Sequence, residues 1–170
     1  FTNCGATGAT GPTLANCKSS YDVSWEDDTD FFDVPSNAGI QLWTVPETAT
    51  YRVEVWGAQG AFIPSGSSYN SGQEEQGGGG KGARMRGDFN LTIGDKIKIL
   101  VGQMGDVSGG DGGSFVISSD DIPLIIAGGA TGNGAHGRVD FGGAGIGGNN
   151  DTQGAGTSGG GGFYSNGQSA

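Results

Sequence analysis

The sequence predicts an all-β fold in which glycine-rich segments pack beside ordinary β-strands, and three observations lead to this class. Short stretches such as residues 51–56 alternate apolar and polar residues, as half-buried strands do. Glycine supplies 38 of the 170 residues, and only four of these glycines precede Gly57. The runs at residues 77–80 and 159–162 contain no side chain, so they are either flexible linkers or glycine-only structure packed too closely for any other residue.

The first 21 residues form a loop-rich entry to the domain. Pro12 and the glycines around it favour turns, and Thr13 is placed to cap one helical turn over residues 14–17. A disulfide between Cys4 and Cys17 would close a small loop and stabilise the fold by about 3 kcal/mol. Two reduced, buried thiols are the alternative, and a metal site is disfavoured because His136 is the only histidine.

Several features favour an extracellular protein, either secreted or at the cell surface. Sequons begin at Asn90 and Asn150, so both asparagines are candidate glycosylation sites. The chain starts at Phe1 rather than at Met, which suggests a processed, secreted chain. A disulfide also fits an oxidising compartment.

An acidic stretch follows between residues 23 and 34. Its carboxylates are as dense as those of a calcium loop, but the glycine and closing glutamate of an EF-hand are missing. A solvated loop is therefore expected, and calcium binding by Asp27, Asp28 and Asp30 stays an open alternative.

The central part of the chain contains the predicted strands. Residues 39–45 and 51–56 alternate and are separated by a Pro46-containing turn, which predicts that they pair as a hairpin. Residues 87–91 and 96–101 predict a further strand–turn–strand unit. Two short apolar strands are expected at residues 114–117 and 123–127.

After Ala127 the strand periodicity ends and glycine dominates. Some of these glycines recur at three-residue intervals, the period of an extended threefold helix. Such helices can hydrogen-bond side by side as polyglycine II because no Cβ keeps them apart. The structural glycines predicted on this basis are Gly77, Gly78, Gly79, Gly80, Gly128, Gly129, Gly159, Gly160, Gly161 and Gly162. We expect one domain over residues 1–170, with parts at 1–60, 61–127 and 128–170.

Charge and motifs exclude several classes of function. With 8 basic and 18 acidic residues, a net charge of −10 disfavours nucleic acid, and no apolar run approaches the roughly 20 residues of a membrane span. Dinucleotide-like glycine patterns at residues 132–137 and 143–148 lack a following helix. Lys81 is followed by Gly82 rather than by Ser or Thr, so a phosphate loop is incomplete. The integrin-type tripeptide Arg86-Gly87-Asp88 sits at the start of a predicted strand rather than at a loop tip, which favours a chance match. We predict no catalytic residue, no metal ligand and no cofactor.

Taken in order, these segments resemble the glycine-rich extracellular domain of the anaplastic lymphoma kinase and leukocyte tyrosine kinase receptors. Similar modules occur in secreted glycine-rich proteins of microbes and protists. The matching stretches are Cys4-Gly5-Ala6-Thr7-Gly8, Gly11-Pro12-Thr13, residues 39–46, Trp56-Gly57-Ala58-Gln59-Gly60, residues 77–80, residues 99–105 and residues 123–129. The resemblance implies a TNF-like, jelly-roll-like β-sandwich with packed polyglycine II helices. In the receptors, this region binds small helical cytokines.

The sequence thus leads to two hypotheses of function. The first is a non-enzymatic extracellular structural module that assembles with itself into a fibre or surface coat, by strand complementation between subunits. The second is a ligand-binding ectodomain module that recognises a protein or a glycan. Neither nucleic acid nor membrane insertion is expected.

Overall fold

Two antiparallel sheets and one short helix make up the described part of the chain. The structure is a computed structural model, and it describes residues 1–7, 10–35, 39–60, 81–104 and 112–130. Within these ranges the elements are α1 (Leu14–Ser20), β1 (Phe32–Asp33), β2 (Gln41–Thr44), β3 (Ala49–Trp56), β4 (Arg84–Leu91), β5 (Lys96–Leu100), β6 (Ser114–Ile117) and β7 (Pro123–Ala127). The predominance of strands agrees with the all-β class. The bounds of β6 and β7 are those expected from the sequence.

The larger sheet has five strands in the order β1-β2-β5-β6-β7, and the smaller pairs β3 with β4. Gln41 lies opposite Ile99 and Thr44 opposite Lys96, whereas Ala49 lies opposite Leu91 and Trp56 opposite Arg84. Consecutive strands β2 and β3 therefore belong to different sheets.

The predicted hairpin between residues 39–45 and 51–56 is wrong. Val45 donates its N–H to the carbonyl of Asp95 and accepts from Gly94, so the chain beyond β2 still lies against the turn before β5. Pro46 follows directly and has no N–H with which to continue a ladder. The chain crosses to the smaller sheet there, because both β2 and β3 have an apolar face to bury between the sheets.

The main core lies between the two sheets. Val55 on β3 and Ile97 and Ile99 on β5 are buried, and Tyr51 and Val53 pack against them. Side chains at alternate positions of β3 point the other way, into solvent. This period of two is the one that the sequence predicts for residues 51–56.

A second core anchors the N-terminus against the edge of the larger sheet. Cys4, Cys17, Phe32 and Val34 are buried together, and an aromatic group of Phe1, Tyr21, Trp25, Phe31 and Trp43 surrounds them. Gln41 is fully buried on β2 and ties the N-terminus down, because its side chain donates to the Thr2 carbonyl and accepts from the Tyr21 hydroxyl.

Helix α1 begins as expected and extends further than expected. Thr13 is its N-cap, and the Thr13 hydroxyl accepts from the backbone N–H of Asn16 while the Asn16 side chain accepts from the Thr13 N–H. This reciprocal capping satisfies otherwise unpaired donors of the first turn. The helix continues to Ser20 rather than ending near Cys17.

Candidate binding surfaces

A cleft of about 700 Å³ opens between the two sheets. Residues of both sheets line it. The walls are mostly apolar, and the smaller sheet contributes Val53 and Val55 while the larger contributes Ile97, Ile99 and Leu124. We call this space the intersheet cleft.

One polar atom in the cleft wall has no partner among the described residues. The side-chain oxygen Oε1 of Gln103 is shielded from solvent and accepts no hydrogen bond there. A buried acceptor without a donor is unfavourable by about 1–3 kcal/mol. An occupant that combined apolar side chains with an N–H or O–H donor would therefore suit the cleft.

The smaller sheet has two edges, one on β3 and one on β4. In the described parts of the chain, β3 pairs only with β4 and β4 only with β3. A two-stranded ribbon with open edges presents backbone N–H and C=O groups that can accept another strand. The smaller sheet that carries these edges also forms one wall of the cleft.

The outer side of the smaller sheet bears a different surface, which we call the arginine–tryptophan face. It consists of Thr50, Arg52, Glu54 and Trp56 on β3 and Arg84, Arg86, Asp88 and Asn90 on β4. Arg52 makes two hydrogen bonds to the carboxylate of Asp88, at 2.8 and 3.0 Å. Glu54 binds Arg84, whose guanidinium carbon lies 5.6 Å from the ring centroid of Trp56.

The electrostatics of this face are governed by its arginines. The pKa of Asp88 is held below its ordinary value of 3.8, first by the hydrogen bond from Arg52 and further by the charges of Arg52 and Arg86. Arg86 lies opposite Glu54 in the register, and no ion pair with a described carboxylate holds its guanidinium. Trp56 is 54 % exposed beside these charges.

The acidic segment, residues 22–33, is ordered by turns and packs through its aromatic residues. Asp28 donates its N–H to the Trp25 carbonyl and accepts from the N–H groups of Phe31 and Phe32. Asp27 forms an ion pair with Lys18 at 3.1 Å, and 86 % of its side chain is exposed. Within the described ranges, no three His, Cys, Asp or Glu side chains are placed to hold a metal ion together.

Close backbone contacts between glycines occur where the strands of both sheets end. A Cβ on Gly57 would lie 1.9 Å from the carbonyl oxygen of Gly128, and a Cβ on Gly82 would lie 2.1 Å from that of Gly57. Backbone hydrogen bonds join the same segments, since Gly57 donates to Ala83 and Ala83 donates to Gly128. Extended chains pass side by side here at distances that only glycine permits.

One glycine of this arrangement also belongs to the predicted polyglycine II set, which stays a prediction. Gly128 is one of the predicted structural glycines, and its carbonyl takes part in these contacts. Gly57 and Gly82 were missed, because their positions beside strand ends do not distinguish them in sequence from other glycines. The predicted glycines at residues 77–80 and 159–162 lie outside the described residues, whereas Gly129 is described and half-buried.

The other predicted sites are distributed as follows. Cys4 and Cys17 form a disulfide with their Cα atoms 4.8 Å apart. Asn90 is exposed on β4, where its side-chain oxygen accepts a hydrogen bond from Thr50 at 2.7 Å. Asn150, His136 and both dinucleotide-like glycine patterns lie outside the described residues. The Arg86-Gly87-Asp88 tripeptide lies within β4.

Comparison with known proteins relates the chain to one class of receptor. A stretch of 105 residues, 62 % of this chain, is 33 % identical to the leukocyte tyrosine kinase receptor of Mus musculus. That stretch covers 11 % of the receptor, so the chain spans about a tenth of the length of this relative. No family model matches the chain.

The match and the fold bear on the ancestry and the location of the chain. The chain is distantly related to part of that receptor. An extracellular or secreted location is consistent with this relationship and with the Cys4–Cys17 disulfide. No helix in the described ranges has the length and apolar character needed to cross a membrane.

Proposed function

We propose that this chain is a non-enzymatic extracellular structural module that assembles with copies of itself. The observation that carries the proposal is the intersheet cleft, an apolar space beside strand edges that have no partner among the described residues. A strand from a second copy would insert there, pair with the smaller sheet and cover the larger one. Donation of this kind is head-to-tail, so it does not close and builds a fibre or a coat.

The free energy of association favours insertion only if the inserted strand both fills the cleft and pairs with an edge of the smaller sheet. Three apolar side chains placed in the cleft would contribute about 4.5–9 kcal/mol at roughly 1.5–3 kcal/mol each. Each backbone hydrogen bond of the new ladder adds about 1 kcal/mol. Lost translational and rotational freedom opposes association by about 4–15 kcal/mol. An occupant without apolar side chains or without strand geometry would therefore bind weakly.

In this proposal the glycine-rich part of the chain stiffens each subunit. We propose a TNF-like sandwich in which the glycine runs pack as polyglycine II helices and form a stiff slab. The support is local, because Gly57, Gly82 and Gly128 pack backbone against backbone and their segments hydrogen-bond laterally. A slab of this kind would stiffen each unit of an assembly.

The second candidate is a binding module that recognises a protein or glycan ligand. The relationship to the leukocyte tyrosine kinase receptor favours it, since a receptor is by name a binding protein. Its expected behaviour differs from that of the first candidate, because a binding module remains a monomer until its ligand is added.

Sedimentation velocity of the secreted chain across a wide concentration range separates the two. We expect larger species to grow with concentration, and strands or sheets in negative-stain electron microscopy. A monomer at every concentration would overturn the self-assembly proposal and leave the binding module.

A pair of matched variants tests the cleft itself. Val53→Gln places a polar side chain in the cleft wall and should suppress assembly. Ile93→Gln makes the same kind of change at a side chain that is 64 % exposed and outside the cleft, so assembly should persist. Val53→Trp fills the cleft without adding polarity and should also suppress assembly. Circular dichroism checks that each variant is folded.

A further inference from the structure

We propose that the arginine–tryptophan face of one copy binds the acidic segment of the next. This inference rests on the proposed self-assembly and names the surfaces that orient neighbouring subunits. One copy thus carries both halves of a charged contact, a basic half on β3 and β4 and an acidic half that ends in β1.

The charges of the two surfaces are opposite. The arginine–tryptophan face holds three arginines against two carboxylates, on a chain whose net charge is −10. The acidic segment contains no Lys or Arg, and its carboxylates are those of Asp22, Glu26, Asp27, Asp28, Asp30 and Asp33. Its one ion pair to a described residue joins Asp27 to Lys18, which leaves most of the acidic charge available.

The face has the composition of a binding site rather than of a solvated surface. Trp and Arg dominate the binding energy of protein interfaces, and guanidinium groups match carboxylates in shape as well as charge. Arg84 is held in place by Glu54 and by the ring of Trp56. Arg86 lies two residues along the same face, about 7 Å away by strand geometry, with no described carboxylate bound to it.

The acidic segment is also ordered before binding. Turns at Glu26, Asp28 and Phe31 are closed by backbone hydrogen bonds. The ring of Trp25 packs against Phe32 at a centroid distance of 5.4 Å, which fixes the segment to the buried N-terminal core. Two preorganised surfaces lose little conformational entropy when they associate.

The two surfaces do not bind each other within the described part of one copy. No ion pair between described residues joins them. The face points away from the larger sheet, because the alternate side chains of β3 fill the core. The acidic segment ends in β1, which is an edge strand of that sheet. A contact between different surfaces of two copies is head-to-tail and propagates.

Added salt should first strengthen and then weaken this contact. At low ionic strength, two copies of net charge −10 repel each other over a long range. Near 0.1 M salt, the screening length falls to about 10 Å, which removes most of that repulsion and leaves the close charge pairs. Higher salt weakens the pairs as well. Assembly should therefore be strongest at intermediate ionic strength.

Neutral variants of each surface provide the test. Arg84→Gln with Arg86→Gln removes charge from the face, and Asp27→Asn with Asp30→Asn removes it from the acidic segment. Each double variant alone should raise the dissociation constant of association about tenfold or more. Mixing the two should restore wild-type affinity at the junction that joins the intact face of one variant to the intact acidic segment of the other, while every further junction keeps the weakened affinity.

The controls make the same changes elsewhere on the molecule. Lys96→Gln and Asp120→Asn each remove one exposed charge outside both surfaces and should leave assembly unchanged. If the wild-type chain assembles and the face variant assembles equally well, this inference is overturned and the cleft proposal survives. If the wild-type chain never assembles, both are overturned. Binding of an added anionic polysaccharide to the face, with self-assembly unaffected by the arginine changes, also overturns it.

Discussion

Replacing Gly57 by alanine tests the close packing of the glycine backbone. The new Cβ would lie 1.9 Å from the carbonyl oxygen of Gly128 and 2.4 Å from its carbonyl carbon. Both atoms belong to backbone, so no side chain can rotate away. One segment must move by more than 1 Å to reach an ordinary contact distance of roughly 3.5 Å.

The magnitude follows from what that displacement breaks. Overpacking a close-packed site typically destabilises by about 1–3 kcal/mol. The displaced segments are joined by the hydrogen bonds from Gly57 to Ala83 and from Ala83 to Gly128, and losing both adds about 2 kcal/mol. We expect Gly57→Ala to lower the free energy of unfolding by about 3–5 kcal/mol, a large share of the roughly 5–15 kcal/mol that stabilises a typical domain.

Thermal and urea unfolding followed by circular dichroism measure this change. Gly94→Ala is the matched control, because a Cβ there would meet no atom within 4 Å and only its positive φ of 87° is unfavourable. That substitution should destabilise by about 1 kcal/mol. Equal effects at the two glycines would refute the close-packing argument and reduce Gly57 to an ordinary loop residue.

Three further predictions concern other parts of the described chain. Replacing Cys4 and Cys17 together by serine should lower the unfolding free energy by about 3 kcal/mol, seen as a fall in Tm, and an unchanged Tm would contradict it. The pKa of Asp88 should lie below 3.8, because Arg52 hydrogen-bonds to the ionised form; Arg52→Gln should raise it in a carbon-13 NMR titration. A carboxyl whose pKa is lower in the folded state than in the unfolded state stabilises the fold at pH values above its unfolded pKa. That stabilisation is lost as the pH falls through the folded pKa, so the contribution of Asp88 to stability vanishes only in acid. Asn90, exposed on β4, should carry a glycan when the chain is secreted from eukaryotic cells, and an unmodified tryptic peptide in mass spectrometry would count against it.

Local features of the fold could be predicted from the sequence because they depend on neighbouring residues. Strands β6 and β7 are short apolar runs bounded by turn signals, and their limits match the expectation. The Thr13 cap is likewise a local contact. The pairing of β2 with β5 could not be read in this way, since it joins residues more than 50 positions apart and is decided by which apolar faces meet.

The candidate surfaces also depend on contacts between residues that are distant in the sequence. Alternation along residues 51–56 indicates which side chains of β3 face outward, but the register that brings Arg84 over Trp56 needs the partner strand. Gly57, where a Cβ would overlap the backbone of Gly128, cannot be distinguished in sequence from any other glycine at the end of a strand. The intersheet cleft is lined by residues of both sheets, so no single segment encodes it.

Hydrogen exchange measured at several protein concentrations tests the central claim most directly. If a second copy fills the intersheet cleft, backbone amides of β3 and β4 should become more protected as the concentration rises. Val53→Gln should abolish that gain, and Ile93→Gln should not. Protection that is the same at every concentration would contradict the account, because the cleft would then never be occupied by another copy of the chain.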